Sequence, residues 1–349
     1  MHTQHRAPIK VLAFVKLGGH VAVSTVRTIW PLVELSKRAD FDCKFIENAQ
    51  VIDILSKGEE NEKLGGYDLY VLSRLHGPIG DQDPFVFCTG RIVYEIDDDL
   101  TDTYRDFGEA EWVKGTINRV SAVTVSTPYL GKMMAKYNKP VHVCPNYLHT
   151  DFYKQTSMAA TRLDDRLTIG LVGTRTHWGD WIEVLPDLKK IKEKYPDVQI
   201  IACGYNPPYL EGVIDSFYGA LPFPQYPNLL RQMDIRLCPL DSSDQFNLSK
   251  SPIAALEAMA SARPSGDKVG GAIPVCSDHP VFRGTVNNGN GRLAKDGEWF
   301  PILEELIEDK KGREELAVKG HRWVCKERDL TQGAQHWARA FHSITGRTR

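Results

Sequence analysis

The chain has 349 residues, enough for two ordinary cores at roughly 150 residues per domain. Its 43 Lys and Arg against 45 Asp and Glu leave a formal charge of −2 and a pI near 6.6, which argues against holding a polyanion by net charge. A hydrophobic fraction of 42%, a mean hydropathy of −0.33 and no apolar run of about 18 residues exclude a spanning helix.

The polar stretch 1–8 leads straight into a strand, so no signal peptide is expected and a soluble, cytoplasmic protein is. Seven cysteines form no C-x-x-C pair and no zinc-spaced Cys/His cluster. Cys144, Cys203, Cys238 and Cys276 close apolar runs and read as small buried hydrophobes in a reducing compartment.

In chain order, residues 10–16 (K-V-L-A-F-V-K) predict a strand that ends at Gly18-Gly19, ahead of a helix over 21–38. Further strands are predicted at 69–73, 92–96, 122–126 and 141–144, with helices at 110–119 and 129–137 between them. Short apolar strands alternating with helices favour a parallel sheet covered on both faces. Residues 146–166 lack a sustained apolar period and read as an irregular connection between domains.

A second alternation follows. Strands are predicted at 167–172, 198–203, 235–239 and 273–276, and helices at 180–195, 228–233, 252–261, 299–307, 311–327 and 331–344. Residues 263–271 and 285–291 read as exposed loops. The fold class expected is α/β, two Rossmann-like halves in tandem. Domains are expected at 1–150 and 167–330, with a linker at 151–166 and a C-terminal helix over 331–349.

Ligands of open parallel sheets lie beyond the carboxyl ends of the strands. That rule selects Gly18 and Gly19, whose backbone can approach a ligand, although the spacing is not G-x-G-x-x-G. Arg27, two turns on, either reaches an anion or is solvated. The run Glu95-Ile96-Asp97-Asp98-Asp99 admits three readings: oxygen ligands for a metal from Asp97 and Asp99, a base or a partner for substrate hydroxyls, or an acidic helix start.

Gly173-Thr174-Arg175-Thr176-His177 occupies the phosphate-loop position of the second half, with hydroxyls and a guanidinium suited to a diphosphate. Asn247, Ser249, Lys250 and Ser251 precede a helix start marked by Pro252, so an ammonium and a helix N-terminus can act on one anion. Glu257 lies between apolar neighbours, where its carboxylate needs donors such as ribose hydroxyls.

The segment N-x-x-K-S-x(5)-E-A-M-A followed by G-A-I-P-V-C-S-D resembles the nucleotide-binding half of GT-B glycosyltransferases, in particular the retaining family 4. K-V-L-A-F-V-K-L-G-G with R-x-x-x-P, V-Y-E-I-D-D-D-L and I-G-L-V-G-T-R-T-H-W-G-D extend the resemblance over most of the chain. It implies two Rossmann-like domains facing a cleft, the first for the acceptor and the second for the donor, with the last helix crossing back to the first. It also implies a nucleotide-diphosphate sugar (UDP- or GDP-sugar) as donor substrate, with no metal or other cofactor.

Under that resemblance Lys250 neutralises the diphosphate, Glu257 holds the ribose, Gly19 offers its backbone, and Phe223 begins the loop that frames the base. Catalysis is assigned to Lys250, Arg175 and Asp98. Departures are Ser249 in place of a common Glu, Thr174 in place of an Arg, Asp180 near the place of a Lys, and Asp97 to Asp99 in place of a His. The competing readings are a sugar-nucleotide epimerase or hydrolase, a metal-dependent GT-A transferase using Asp97 to Asp99, and a binding module. The acceptor is left open between a glycan, a small molecule and a modified nucleic acid. Lys132, Lys136 and Lys139 read either as a local patch that would serve a nucleic acid or, as is commoner on a helix of this kind, as a solvated face.

Overall fold

The computed structural model describes residues 7–16, 21–103, 109–154, 166–265 and 268–347. Gly18, Gly19 and most of the expected linker at 151–166 lie outside them. The chain divides into two compact units. Met1–Tyr147, Ser249–Ser251 and Leu330–Arg349 make up the first, and Leu148–Leu248 with Pro252–Asp329 the second.

Six strands build the sheet of the first unit: β1 (Ile9–Val15), β2 (Phe41–Glu47), β3 (Leu69–Ser73), β4 (Arg91–Ile96), β5 (Ala122–Val125) and β6 (Val141–Val143). All pair in parallel, in the order β2-β1-β3-β4-β5-β6. Side chains alternate across it, as the pleat requires. Leu12, Phe14, Tyr70, Leu72, Tyr94 and Ile96 join one core with Val113 and Ile117. Val11, Ala13, Val15, Val71 and Val93 join the other, where Leu32, Trp337, Ala338 and Phe341 cover them. The helix Leu330–Thr345 thus closes one face of the first sheet, although it is last in the chain. A Cβ on Gly333 would meet Tyr147 Cγ at 2.3 Å, so a glycine lets this helix approach.

The expected helix over 21–38 forms as Val21–Ser24 and Trp30–Leu35 with a π-helical segment, Thr25–Ile29, between them. Pro31 is the cause: it lacks an N–H and its ring collides with the carbonyl four residues earlier, that of Arg27, so the turn widens. β2, absent from the sequence reading, is an edge strand on which only Phe41 is fully buried.

The second unit carries β7 (Thr168–Gly173), β8 (Gln199–Gly204), β9 (Ser216–Tyr218), β10 (Ile235–Cys238), the short antiparallel pair β11 (Arg263–Ser265) and β12 (Lys268–Gly270), β13 (Ile273–Ser277) and β14 (Arg292–Ala294). The main sheet runs β14-β13-β10-β7-β8-β9, all parallel. Counted within the unit this is the Rossmann order, with its switch point between β7 and β10.

The stretch at 263–271 is therefore a strand pair rather than an open loop. Within the expected linker, Thr150–Lys154 is helical, and Tyr153 on it is buried. No helix among the described residues is long and apolar enough to cross a membrane.

Candidate functional site

Four groups gather at the carboxyl ends of β3 and β4. Arg74 directly follows β3, and its φ of 49° is in the left-handed region that non-glycine residues avoid. Its N–H donates to Glu95 O at 2.9 Å, which fixes the turn. Its Nη1 donates to Asp97 Oδ1 at 2.9 Å and lies 3.4 Å from Asp98 Oδ2. Burial pushes the Asp98 carboxyl up to about 6, Asp97 adds to the rise, and Arg74 and Lys250 oppose it. Asp99 faces elsewhere: its Oδ1 accepts from Thr101 N–H at 3.1 Å and Thr101 Oγ1 at 2.5 Å, capping the short helix that begins at Leu100. Asp97 and Asp99 therefore do not converge on one point, and among the described residues no group of three or more His, Cys, Asp or Glu is arranged for a metal.

Lys250 reaches this place through its neighbours. Ser249 Oγ accepts from the Asp99 N–H at 3.0 Å, and Ser251 Oγ accepts from Asn146 Nδ2 at 2.7 Å. Both flanking residues are thereby tied to the first unit, and Lys250 between them is 9% exposed.

Arg27 is turned away from solvent. It is 2% exposed, and its Nε and Nη2 donate to Glu95 Oε1 and Oε2 at 2.7 and 3.2 Å. Its Nη1 donates to Cys144 O at 2.6 Å and Asn146 Oδ1 at 2.8 Å. The sequence expectation of a substrate contact is corrected here. The widened turn at Pro31 directs this guanidinium inward, where it orients the Asn146 that holds Ser251.

The second unit gathers its polar groups at the switch point between β7 and β10. Gly173 ends β7, and the side chains of Thr174, Arg175 and Thr176 that follow are exposed. Thr174 Oγ1 and Thr176 Oγ1 are hydrogen-bonded at 2.9 Å. His177 Nδ1 donates to Asp180 Oδ2 at 2.8 Å. Asp180 Oδ1 accepts from Asn247 Nδ2 at 2.7 Å and the Asp241 N–H at 2.8 Å, which links the loop after β7 to the one after β10. Asn247 Oδ1 is buried with no hydrogen-bond partner. Gly204, at the end of β8, has φ 94°, and a Cβ there would strike Gly173 O at 2.4 Å.

Glu257 projects from the helix Ile253–Ala260 into a set of donors absent from the sequence reading. Its Oε2 accepts from Tyr226 Oη at 2.9 Å and from Arg236 Nη1 at 3.1 Å, and its Oε1 from Tyr153 Oη at 3.2 Å. Burial and the nearby carboxylate raise both phenols well above their ordinary range, so they stay protonated donors. A carboxylate has about four acceptor sites, and these three bonds leave room for one more donor. Phe223 is buried and stacks on Phe152 at 4.9 Å between centroids, so its ring is a wall of this region.

Sequence reasoning missed Arg74, Asn146, Tyr153 and Arg236. Of these, Arg74 was within reach, because it directly follows a predicted strand at the edge where ligands lie. Tyr153 and Asn146 were hidden in a stretch read as irregular.

No family model matches the sequence, and no curated protein matches it. Solved structures do. HepE (Alr3699) from Anabaena, solved with UDP and glucose, aligns with a TM-score of 0.66 at 14% identity, over 96% of this chain and 100% of that one. Sucrose-phosphate synthase from Thermosynechococcus elongatus aligns at 0.63 and 12%, over 97% and 100%. A putative UDP-N-acetylglucosamine 2-epimerase from Listeria monocytogenes aligns at 0.60 and 12%, over 98% of each chain. At such identities the likeness is one of fold, and the fold is α/β with two Rossmann-like units of the GT-B type.

Proposed function

We propose that this protein is a glycosyltransferase that moves a sugar from a UDP- or GDP-sugar to an acceptor hydroxyl, with retention of configuration. The observation that carries the reading is Lys250, a nearly buried cation fixed through Ser249 and Ser251 beside Asp98. An ammonium taken from water and held at the carboxyl edge of a sheet is arranged for an anionic ligand. Solved neighbours with this fold hold UDP or UDP-glucose, which supports a nucleotide sugar as that ligand.

In this reading the first unit takes the acceptor and the second the donor. Lys250 and Arg175 stabilise charge developing on the leaving diphosphate, without help from a metal. Asp98, with Asp97 beside it, orients an acceptor or sugar hydroxyl. Glu257 offers its remaining acceptor site to the ribose, the loop from Phe223 to Tyr226 borders the base, and Gly173, Thr174, His177, Asn247, Ser249 and Ser251 shape the donor region. The buried, unpaired Cys144, Cys203, Cys238 and Cys276 support a reducing, cytoplasm-like setting.

A thermal-shift screen of nucleotide-diphosphate sugars tests the reading, because a ligand that binds the folded state raises its stability. Lys250→Ala is expected to lower turnover at least about 100-fold with an unchanged circular-dichroism spectrum. Near-normal transfer by that variant overturns the assignment. The epimerase among the neighbours favours a second reading, epimerisation of the nucleotide sugar itself. Product analysis without an acceptor separates the two.

A further inference from the structure

His177 is more firmly placed than a half-exposed side chain requires. Its ring crosses the end of β7 directly over Gly173, where a Cβ would lie 2.7 Å from His177 Cδ2 and 3.0 Å from Trp181 Cζ2. Only a residue without a side chain admits the ring there. Behind it, Asp180 is 2% exposed. One Asp180 oxygen receives the imidazole Nδ1–H, and the other is held by the Asp241 N–H and the Asn247 amide. A carboxylate only accepts, so Nδ1 keeps its proton in both charge states, and Nε2 is the atom whose protonation changes. The imidazole side chain is 27% exposed, and it shares its loop with the exposed Thr174, Arg175 and Thr176. Among the described residues, charged or titratable groups near the pair include Arg175 on the same loop, Asp241 after β10, and Tyr209, which interacts electrostatically with Asp180.

We propose that Asp180 is a positioning residue that holds His177 as a cationic hydrogen-bond donor to a diphosphate at the carboxyl end of β7. A buried carboxylate behind an imidazole favours the imidazolium, and a charge-assisted bond to phosphate is roughly twice as strong as a neutral one. The proposal rests on the nucleotide-sugar reading and adds to it a titrating phosphate contact within the second unit.

The test is calorimetric binding of UDP to the full chain at several pH values from 6 to 8, for the wild type, His177→Gln and Asp180→Asn. Wild-type affinity should rise toward pH 6 by more than the ionisation of UDP itself produces, because binding of the anion takes up a proton on His177. His177→Gln should lose that excess and bind about tenfold more weakly at pH 6. Asp180→Asn should keep the excess but shift it to lower pH. If the buried Asp180→Asn chain does not fold, His177→Gln decides alone, since its side chain is partly exposed. Wild-type affinity and pH response in His177→Gln overturn the proposal, and so does an unshifted response in a folded Asp180→Asn. If the wild type binds neither UDP, GDP nor their sugars at any pH, the nucleotide-sugar reading fails, and this proposal with it.

Discussion

Among the described residues each unit buries an arginine–glutamate pair, and the two are built in opposite senses. In the first, Glu95 is on the strand β4 and Arg27 comes from a helical segment. In the second, Arg236 is on the strand β10 and Glu257 comes from a helix. The first pair is closed: Arg27 donates four hydrogen bonds, Glu95 also takes one from Thr124 Oγ1 at 2.6 Å, and the side chains are 2% and 1% exposed. The second is looser. Arg236 Nε has no hydrogen-bond partner, Glu257 depends on two phenols, and the side chains are 4% and 10% exposed. Both carboxylates take three hydrogen bonds, so the contrast lies in the arginine and in exposure: Arg27 makes four bonds where Arg236 leaves its Nε unpartnered, and Glu257 is less deeply buried than Glu95. The deeply buried, better matched pair acts as a fastening, whereas the more exposed carboxylate can still accept a further donor.

The difference can be broken experimentally. Arg27→Ala leaves Glu95 buried and uncompensated and should cost about 3–5 kcal/mol in urea unfolding. Arg236→Ala should cost less, about 1–3 kcal/mol, because Tyr226 and Tyr153 still donate to Glu257. Equal or reversed losses would erase the distinction. A smaller effect is expected of Tyr226→Phe, about 1–2 kcal/mol for one hydrogen bond to a buried charge. It should also change the affinity for uridine nucleotides, whereas Thr124→Val, on the closed pair, should not.

A further contrast is one of pH. The Asp98 carboxyl is raised from its ordinary 3.8 to about 6, so between these values the folded chain binds more protons than the unfolded one. Its contribution is therefore fully present below about pH 4 and is lost as pH rises through about 6. Asp98→Asn should flatten the decline of unfolding free energy over that window, and an unchanged slope would show that Asp98 titrates normally.

Much of the fold was legible because its signal is local. Buried parallel strands are short apolar runs, and β1, β3, β4, β5, β7, β8, β10 and β13 each show one. β2, β9 and β14 escaped because they are edge or terminal strands: β2 (F-D-C-K-F-I-E) alternates with polar residues, and the other two span three residues each. The same limit governs the site. Lys250, Glu257 and the loop from Gly173 to His177 were visible from residue type and from position after a strand or before a helix. Arg74, Asn146, Tyr153 and Arg236 gain their meaning only from partners 20 to more than 100 positions away, such as Asn146 with Ser251 at a separation of 105.

By itself the sequence determined two α/β halves, the strand ends where a ligand of such a sheet is expected and the residues available there, since these depend on hydrophobic period and local turn chemistry. Tertiary structure alone decided which of those residues lie together and which turn inward. It turned Arg27 inward through the widened turn at Pro31, set Asp99 to cap a helix, and spread Asp97 and Asp98 against Arg74. It also joined Ser249–Ser251 to the first unit, although the residues on either side belong to the second. Residue type fixes what a side chain can donate or accept, but only packing fixes which partner is within 3 Å.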